Sequence, residues 1–129
     1  MKLREIMKPD PVTATESTPL GDAQRTMRDH DIRHLPVIRD GRICGILSER
    51  DILAYRARIE GESDWWRAPV REAMTTPPQT AGPEDSITEA AGRLALSKIG
   101  ALPIVEQGRL IGLVTTTDVL DAEVRSAMA

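Results

Sequence analysis

Two seven-residue stretches concentrate the residues whose types and spacing could do chemistry: Gly45-Ile46-Leu47-Ser48-Glu49-Arg50-Asp51 and Gly112-Leu113-Val114-Thr115-Thr116-Thr117-Asp118. In each, an apolar run ends in a glycine and two aliphatics, and a hydroxyl residue is followed three positions later by aspartate. Glycine lets another group approach the backbone closely. A helix opening at the hydroxyl residue would present unpaired N–H groups and the positive end of its dipole, a setting that suits phosphate. The aspartate, one turn in, can accept two hydrogen bonds from a vicinal diol such as a ribose. The same Ser/Thr-x-x-Asp spacing is close to a capping box that merely satisfies its own helix. Capping leaves the glycine unexplained, and the whole pattern occurs twice.

Other chemistries are poorly supported. His30, His34 and the Ser48/Asp51 pair could be drawn as a triad, but Ser48 and Asp51 share one helical turn and nothing resembles a strained nucleophile elbow. The two histidines are four apart, yet Asp31-Ile32 predicts a helix end between them. One cysteine and no HExxH or CxxC pattern argue against zinc, and no Walker sequence is present. No catalytic residue and no required cofactor are expected.

The two stretches belong to a longer repeat. Residues 3–53 align with 70–120 without a gap: Met7 falls on Met74, Pro36 on Pro103, Gly41 on Gly108 and Asp51 on Asp118. Fifteen of the 51 aligned positions are identical, against about 3 from average residue usage. Two copies predict a closed pseudo-two-fold pair, in which sites lie between the copies and come in twos. The division is 1–55 for the first repeat, 56–69 for a charged connector ending in Trp65-Trp66-Arg67, and 70–129 for the second.

Each repeat reads as strand, helix, strand, strand, helix, an α/β (α+β) unit. Val12-Thr13-Ala14 and Gln79-Thr80-Ala81 are short extended pieces, each behind a proline. Thr18 is expected as N-cap with Pro19 at the first helical position, and Ser86 or Asp85 serves in the second copy. Helical spacing puts Leu20, Ala23 and Met27 in one core stripe and Ile87, Ala90, Ala91 and Leu94 in another. Asp40-Gly41 and Gln107-Gly108 are turns between paired aliphatic strands. Pro36 and Pro103 lack a ladder donor, which predicts strands that start there or lie at an edge. A last helix opens at Ser48 and at Thr115.

Composition bounds the setting. At 129 residues with 40% hydrophobic and 29% charged residues, the chain suits one compact unit. Aromatics are 2% with no Phe, so the core must be aliphatic. A net charge of −3 argues against nucleic-acid binding. The lone Cys44 excludes an internal disulfide, reads as a buried inert thiol, and fits a reducing compartment. No apolar stretch has signal-peptide or membrane-span length, so a cytoplasmic location is expected.

The doubled pattern of aliphatic-x-x-aliphatic-Pro-Val/Ile, a turn glycine and Gly-x-x-Ser/Thr-x-x-Asp closely resembles tandem CBS domains, named after cystathionine β-synthase. Met7-x-x-x-Pro11 and Met74-x-x-x-Pro78 match the usual start of the module. The resemblance covers the chain except the connector. It implies two β-α-β-β-α units packed sheet to sheet as a Bateman module, usually a homodimer, that senses AMP, ADP or ATP and less often S-adenosylmethionine. It also implies two clefts. One combines Asp118 and Thr115 with Val12, Thr13, Ile32, Arg33 and His34. The other combines Asp51, Ser48 and Arg50 with Gln79, Thr80, Ile99, Gly100 and Ala101. Arg33-His34 becomes Gly100-Ala101 in the second copy, so only the first set has cations where family members often meet phosphate. The Asp118 set is therefore expected to be the better nucleotide site. Flanking aliphatics such as Ile32 or Ile99 would hold the adenine. The rival reading is a ligand-independent pairing module for a separate protein. In either case the output must reach an effector protein that the sequence does not name.

Overall fold

The structure is a computed structural model that describes residues 1–60 and 64–129. Its strands and α-helices run β1 (Lys8–Pro9), β2 (Ala14–Thr15), α1 (Leu20–Asp29), β3 (His34–Arg39), β4 (Arg42–Ser48), α2 (Glu49–Arg58), α3 (Ile87–Ser97), β5 (Ala101–Glu106), β6 (Arg109–Thr115) and α4 (Thr116–Met128). Short 3-10 turns cover Leu3–Glu5, Trp65–Arg67 and Val70–Glu72. The connector read over 56–69 thus opens inside α2, and its residues 61–63 lie outside the described residues.

Two compact units emerge, one of Val12–Pro78 and one of Met1–Pro11 with Gln79–Ala129. In the first, β3 lies between β2, to which it is parallel, and β4, to which it is antiparallel. Helix α1 buries Leu20, Ala23 and Met27, the stripe the spacing predicts, against Leu35, Val37 and Leu47 of the sheet. In the second, β6 lies between β1 and β5, and Ala81 bridges Ile104 where Ala14 meets Val37 in the other unit. Helix α3 buries Ile87, Ala90 and Leu94.

Each unit contains a lead-in segment that the sequence repeat assigns to the other copy. Leu3 is fully buried in the core with Leu102, Ile104 and Val114, while Val70 is fully buried in the core with Leu35 and Leu47. Burying such an aliphatic side chain contributes about 1.5–3 kcal/mol, so the 3-10 turns act as anchors. Backbone pairs continue the attachment: Leu3 N–H donates to the Asp85 carbonyl at 2.9 Å, and Val70 N–H donates to that of Thr18 at 2.8 Å.

The hairpins form as the turn residues predict. Asp40 and Gly41 have φ of 53° and 78°, and Gln107 and Gly108 have 53° and 80°. Two successive positive φ values match the strand twist of a tight hairpin, and glycine takes the second at no steric cost. Two local expectations are corrected. Pro19 rather than Thr18 is the N-cap of α1; the Thr18 hydroxyl instead accepts from Thr15 N–H at 3.0 Å, and Leu20 N–H is satisfied by the Ala68 carbonyl. Pro36 neither begins its strand nor lies at an edge, since β3 starts at His34 and is central. The reason is that pairing with β2 begins only at Val37, so the missing N–H of Pro36 deprives no partner.

Trp65 packs on the Val12–Pro78 core, with the Arg56 guanidinium 4.5 Å over its ring. Trp66 stays 44% exposed, and Tyr55 lies half-buried on the same core. Cys44 is partly buried, its thiol 3.4 Å from the Val37 carbonyl, and burial pushes its pKa up, as an inert thiol requires.

Candidate functional site

Both motifs fold as a strand running directly into a helix through a capping box. Ser48 N–H donates to Asp51 Oδ2 at 2.9 Å, and Asp51 N–H donates back to Ser48 Oγ at 3.0 Å. Thr115 N–H and Oγ1–H donate to Asp118 Oδ2 at 2.9 and 3.0 Å, and Asp118 N–H returns to Thr115 Oγ1 at 3.3 Å. The first helical N–H groups are also taken: Glu49 donates to the Arg33 carbonyl at 2.9 Å, and Thr116 to that of Gly100 at 3.1 Å. At each start the chain itself satisfies the N–H groups of the cap and of the first and third helical residues. The expectation of unpaired donors at these helix starts is therefore corrected for three positions of each and not for the second helical residue, Arg50 or Thr117.

The glycines also have a partner within the fold. A Cβ on Gly45 would lie 2.6 Å from Met74 Sδ and 3.1 Å from the Thr75 carbonyl oxygen. On Gly112 it would lie 2.5 Å from Met7 Sδ and 3.1 Å from the Lys8 carbonyl oxygen. The close approach inferred from sequence is real, and the group approaching is the lead-in strand. Ile46 and Thr75 exchange backbone hydrogen bonds of 3.0 and 2.9 Å, and β1 pairs Lys8 with Leu113.

With one oxygen of each aspartate held in its cap, the other oxygen carries the difference between the motifs. Asp51 Oδ1 faces the Thr75 hydroxyl, a weak contact at 3.4 Å. Asp118 Oδ1 accepts from Lys8 Nζ at 2.5 Å; the carboxylate is 11% exposed and the lysine 65% exposed. Lys8 and Thr75 are residues that the motif reading missed. The signal was available, because they are equivalent positions of the repeat, next to the matched Met7 and Met74.

The unit Val12–Pro78 holds Val12, Thr13, Ile32, Arg33, His34, Ser48, Arg50 and Asp51. Of these, Val12 and Ile32 pack on its core, whereas Arg33 and Arg50 are exposed. Helix α1 ends at Asp29 and Asp31 has φ 54°, which turns the chain so that His34 begins β3 opposite Ser48. Burial pushes the His34 imidazole below its usual value; Asp51 pulls it back up, while Arg33 and Arg50 add to the depression. His34 is thus neutral at pH 7 and offers a hydrogen-bonding ring rather than a charge. The other unit holds Gln79, Thr80, Ile99, Gly100, Ala101, Thr115 and Asp118. There Ala101 is buried opposite Thr115 in the β5–β6 ladder, and Ile99 packs on the core. Among the described residues no group of three or more His, Cys, Asp or Glu could hold a metal ion, and no helix is long and apolar enough to cross a membrane.

Comparison with known proteins places this architecture. The CBS domain sequence profile matches twice, over residues 3–58 and 70–125. The chain is 30% identical over 116 residues to the CBS domain-containing protein YhcV of Bacillus subtilis, covering 90% of this chain and 81% of that one. It is 41% identical over 115 residues to inosine-5'-monophosphate dehydrogenase of Korarchaeum cryptofilum, covering 88% of this chain but only 22% of the enzyme. The solved structure of CBSX2 in complex with AMP superposes with a TM-score of 0.83 at 26% identity, covering 98% of both chains. With both profile matches falling on the two repeats, this chain belongs to the CBS domain family as a tandem CBS pair.

Proposed function

We propose that this chain is a regulatory module that binds an adenosine nucleotide, with Asp51 and Asp118 receiving ribose hydroxyls. The observation that carries the reading is the capped carboxylate. One oxygen of each aspartate is fixed by its helix start, so the other is held as an oriented acceptor, which suits a vicinal diol. The similar CBSX2 was solved with AMP. Arg50 is the cation of the Asp51 set. Binding favours one arrangement of the chain over another by its differential affinity, and a second copy or a separate effector protein reads the change. No reaction is assigned to the chain.

A second reading has its own observation. The glycines seat Met74 and Met7, and Ser/Thr-x-x-Asp caps its helix, so every position of the motif has a structural use. On that reading the pair is a ligand-independent scaffold. Calorimetric titration with AMP, ADP, ATP and S-adenosylmethionine separates the two, using Asp51→Asn and Asp118→Asn. Asparagine keeps an acceptor for the cap and turns an amide donor outward. Saturable binding that an Asn variant weakens by about 1.5–3 kcal/mol supports the sensor, and the stoichiometry counts competent sites. Arg33→Ala should weaken ATP more than adenosine. No binding across the panel leaves the scaffold reading standing.

A further inference from the structure

We infer that Lys8 sets the ligand class of the Asp118 position, admitting anionic adenosine ligands and disfavouring neutral or cationic ones. The inference rests on the proposed ribose-binding role of the motif aspartates and deepens it. The oxygen of Asp118 that a ribose would use already carries an ammonium at 2.5 Å, whereas the matching oxygen of Asp51 carries only a neutral hydroxyl at 3.4 Å. A charge-assisted hydrogen bond is roughly twice as strong as a neutral one. A diol arriving at Asp118 must therefore displace or share a stronger partner than at Asp51.

The displaced ammonium stays tethered close to Asp118. The Lys8 backbone is paired with Leu113 in the ladder with β6, one residue before Val114 and two before the Thr115 cap. A lysine side chain anchored there keeps its ammonium within reach of a molecule bound at Asp118. Its best new partner is a negative group on the incoming molecule. A nucleoside phosphate brings its own counter-charge and repays the displacement. A neutral nucleoside sends the ammonium to water and offers nothing in return for the lost ion pair. A sulfonium ligand adds a like charge to the same space. Thr75 imposes none of these conditions on Asp51.

The test isolates one position at a time. In the Asp51→Asn background, adenosine, AMP and S-adenosylmethionine are titrated with and without Lys8→Thr, which installs the residue of the other repeat. We expect Lys8→Thr to lower the preference for AMP over adenosine by about fivefold, mainly by tightening adenosine. In the Asp118→Asn background, Thr75→Lys should raise the same preference at the Asp51 position. A preference unchanged within about twofold in both backgrounds would overturn the inference while leaving nucleotide binding intact. If neither adenosine nor AMP binds the unmodified chain, the ribose-binding reading itself fails and takes this inference with it. Lys8 is 65% exposed and its backbone pairing does not depend on its side chain, so loss of folding should not obscure the result.

Discussion

The strand–helix junctions at Asp51 and Asp118 are built on one plan and finished differently. Both place a glycine under a methionine of a lead-in strand, and both close a capping box through the inner carboxylate oxygen. They part most clearly in charge at the outer oxygen, where one has Thr75 and the other Lys8. The shared positions are those where the fold tolerates little: a Cβ at either glycine would lie within 3.1 Å of a backbone carbonyl, and an N-cap is worth about 0.5–2 kcal/mol. Residues 8 and 75 are exposed, so the fold leaves their chemistry open. A repeat can therefore keep one architecture while offering two kinds of acceptor.

The strongest way to break the comparison is to block the shared plan. Gly112→Val and Gly45→Val should each lower unfolding stability by about 1–3 kcal/mol through overpacking, read from urea midpoints. Adding Met7→Ala or Met74→Ala to the matching variant should recover part of the loss. Equal costs without recovery would mean that the methionine contact is not what demands glycine.

Next come the caps. Asp51→Ala and Asp118→Ala should each cost about 0.5–2 kcal/mol, and the Asn variants distinctly less. If Asn costs as much as Ala at either site, the inner oxygen is not the stabilising one there.

His34 sharpens the contrast by pH, because Ala101 stands at its position in the second repeat. Its folded pKa lies below the ordinary value of 6.5, so in the window below that value the unfolded chain binds the extra proton. Stability then rises with pH through the window. It is fully present above 6.5 and falls as acidification approaches the folded pKa. His34→Gln should flatten this slope between pH 7 and 5, measured by denaturation at each pH; an unchanged slope would assign it to other groups.

The smallest effect belongs to the pair that distinguishes the motifs. Lys8→Thr should change stability by no more than about 1 kcal/mol, a difference that added salt diminishes. A larger or salt-independent loss would make Lys8 a structural residue rather than one free to select a ligand.

Local signals made much of this molecule legible. Asp40-Gly41 and Gln107-Gly108 gave both hairpins, because positive φ at two successive residues is written in the turn itself. Ser48 and Thr115 gave the caps, whose partners are three residues away. The gap-free repeat gave the doubled fold. Thr18 misled, because Leu20 N–H finds the Ala68 carbonyl, 48 residues along the chain. Pro36 misled because strand order, not strand composition, decides whether a missing donor matters.

By itself, then, the sequence determined the two copies, their element order, their hairpin turns, the caps at Ser48 and Thr115, and the two aspartates that follow the same rule. Those depend on contacts within a few residues or on the repeat read against itself. Only the tertiary structure decided that Met7 and Lys8 meet Gly112 and Asp118, while Met74 and Thr75 meet Gly45 and Asp51. A segment of β-strand carries its pairing groups on its backbone, which are alike at every position. What it pairs with is chosen by the burial of Leu3 and Val70 in one core or the other, and no local pattern encodes that choice.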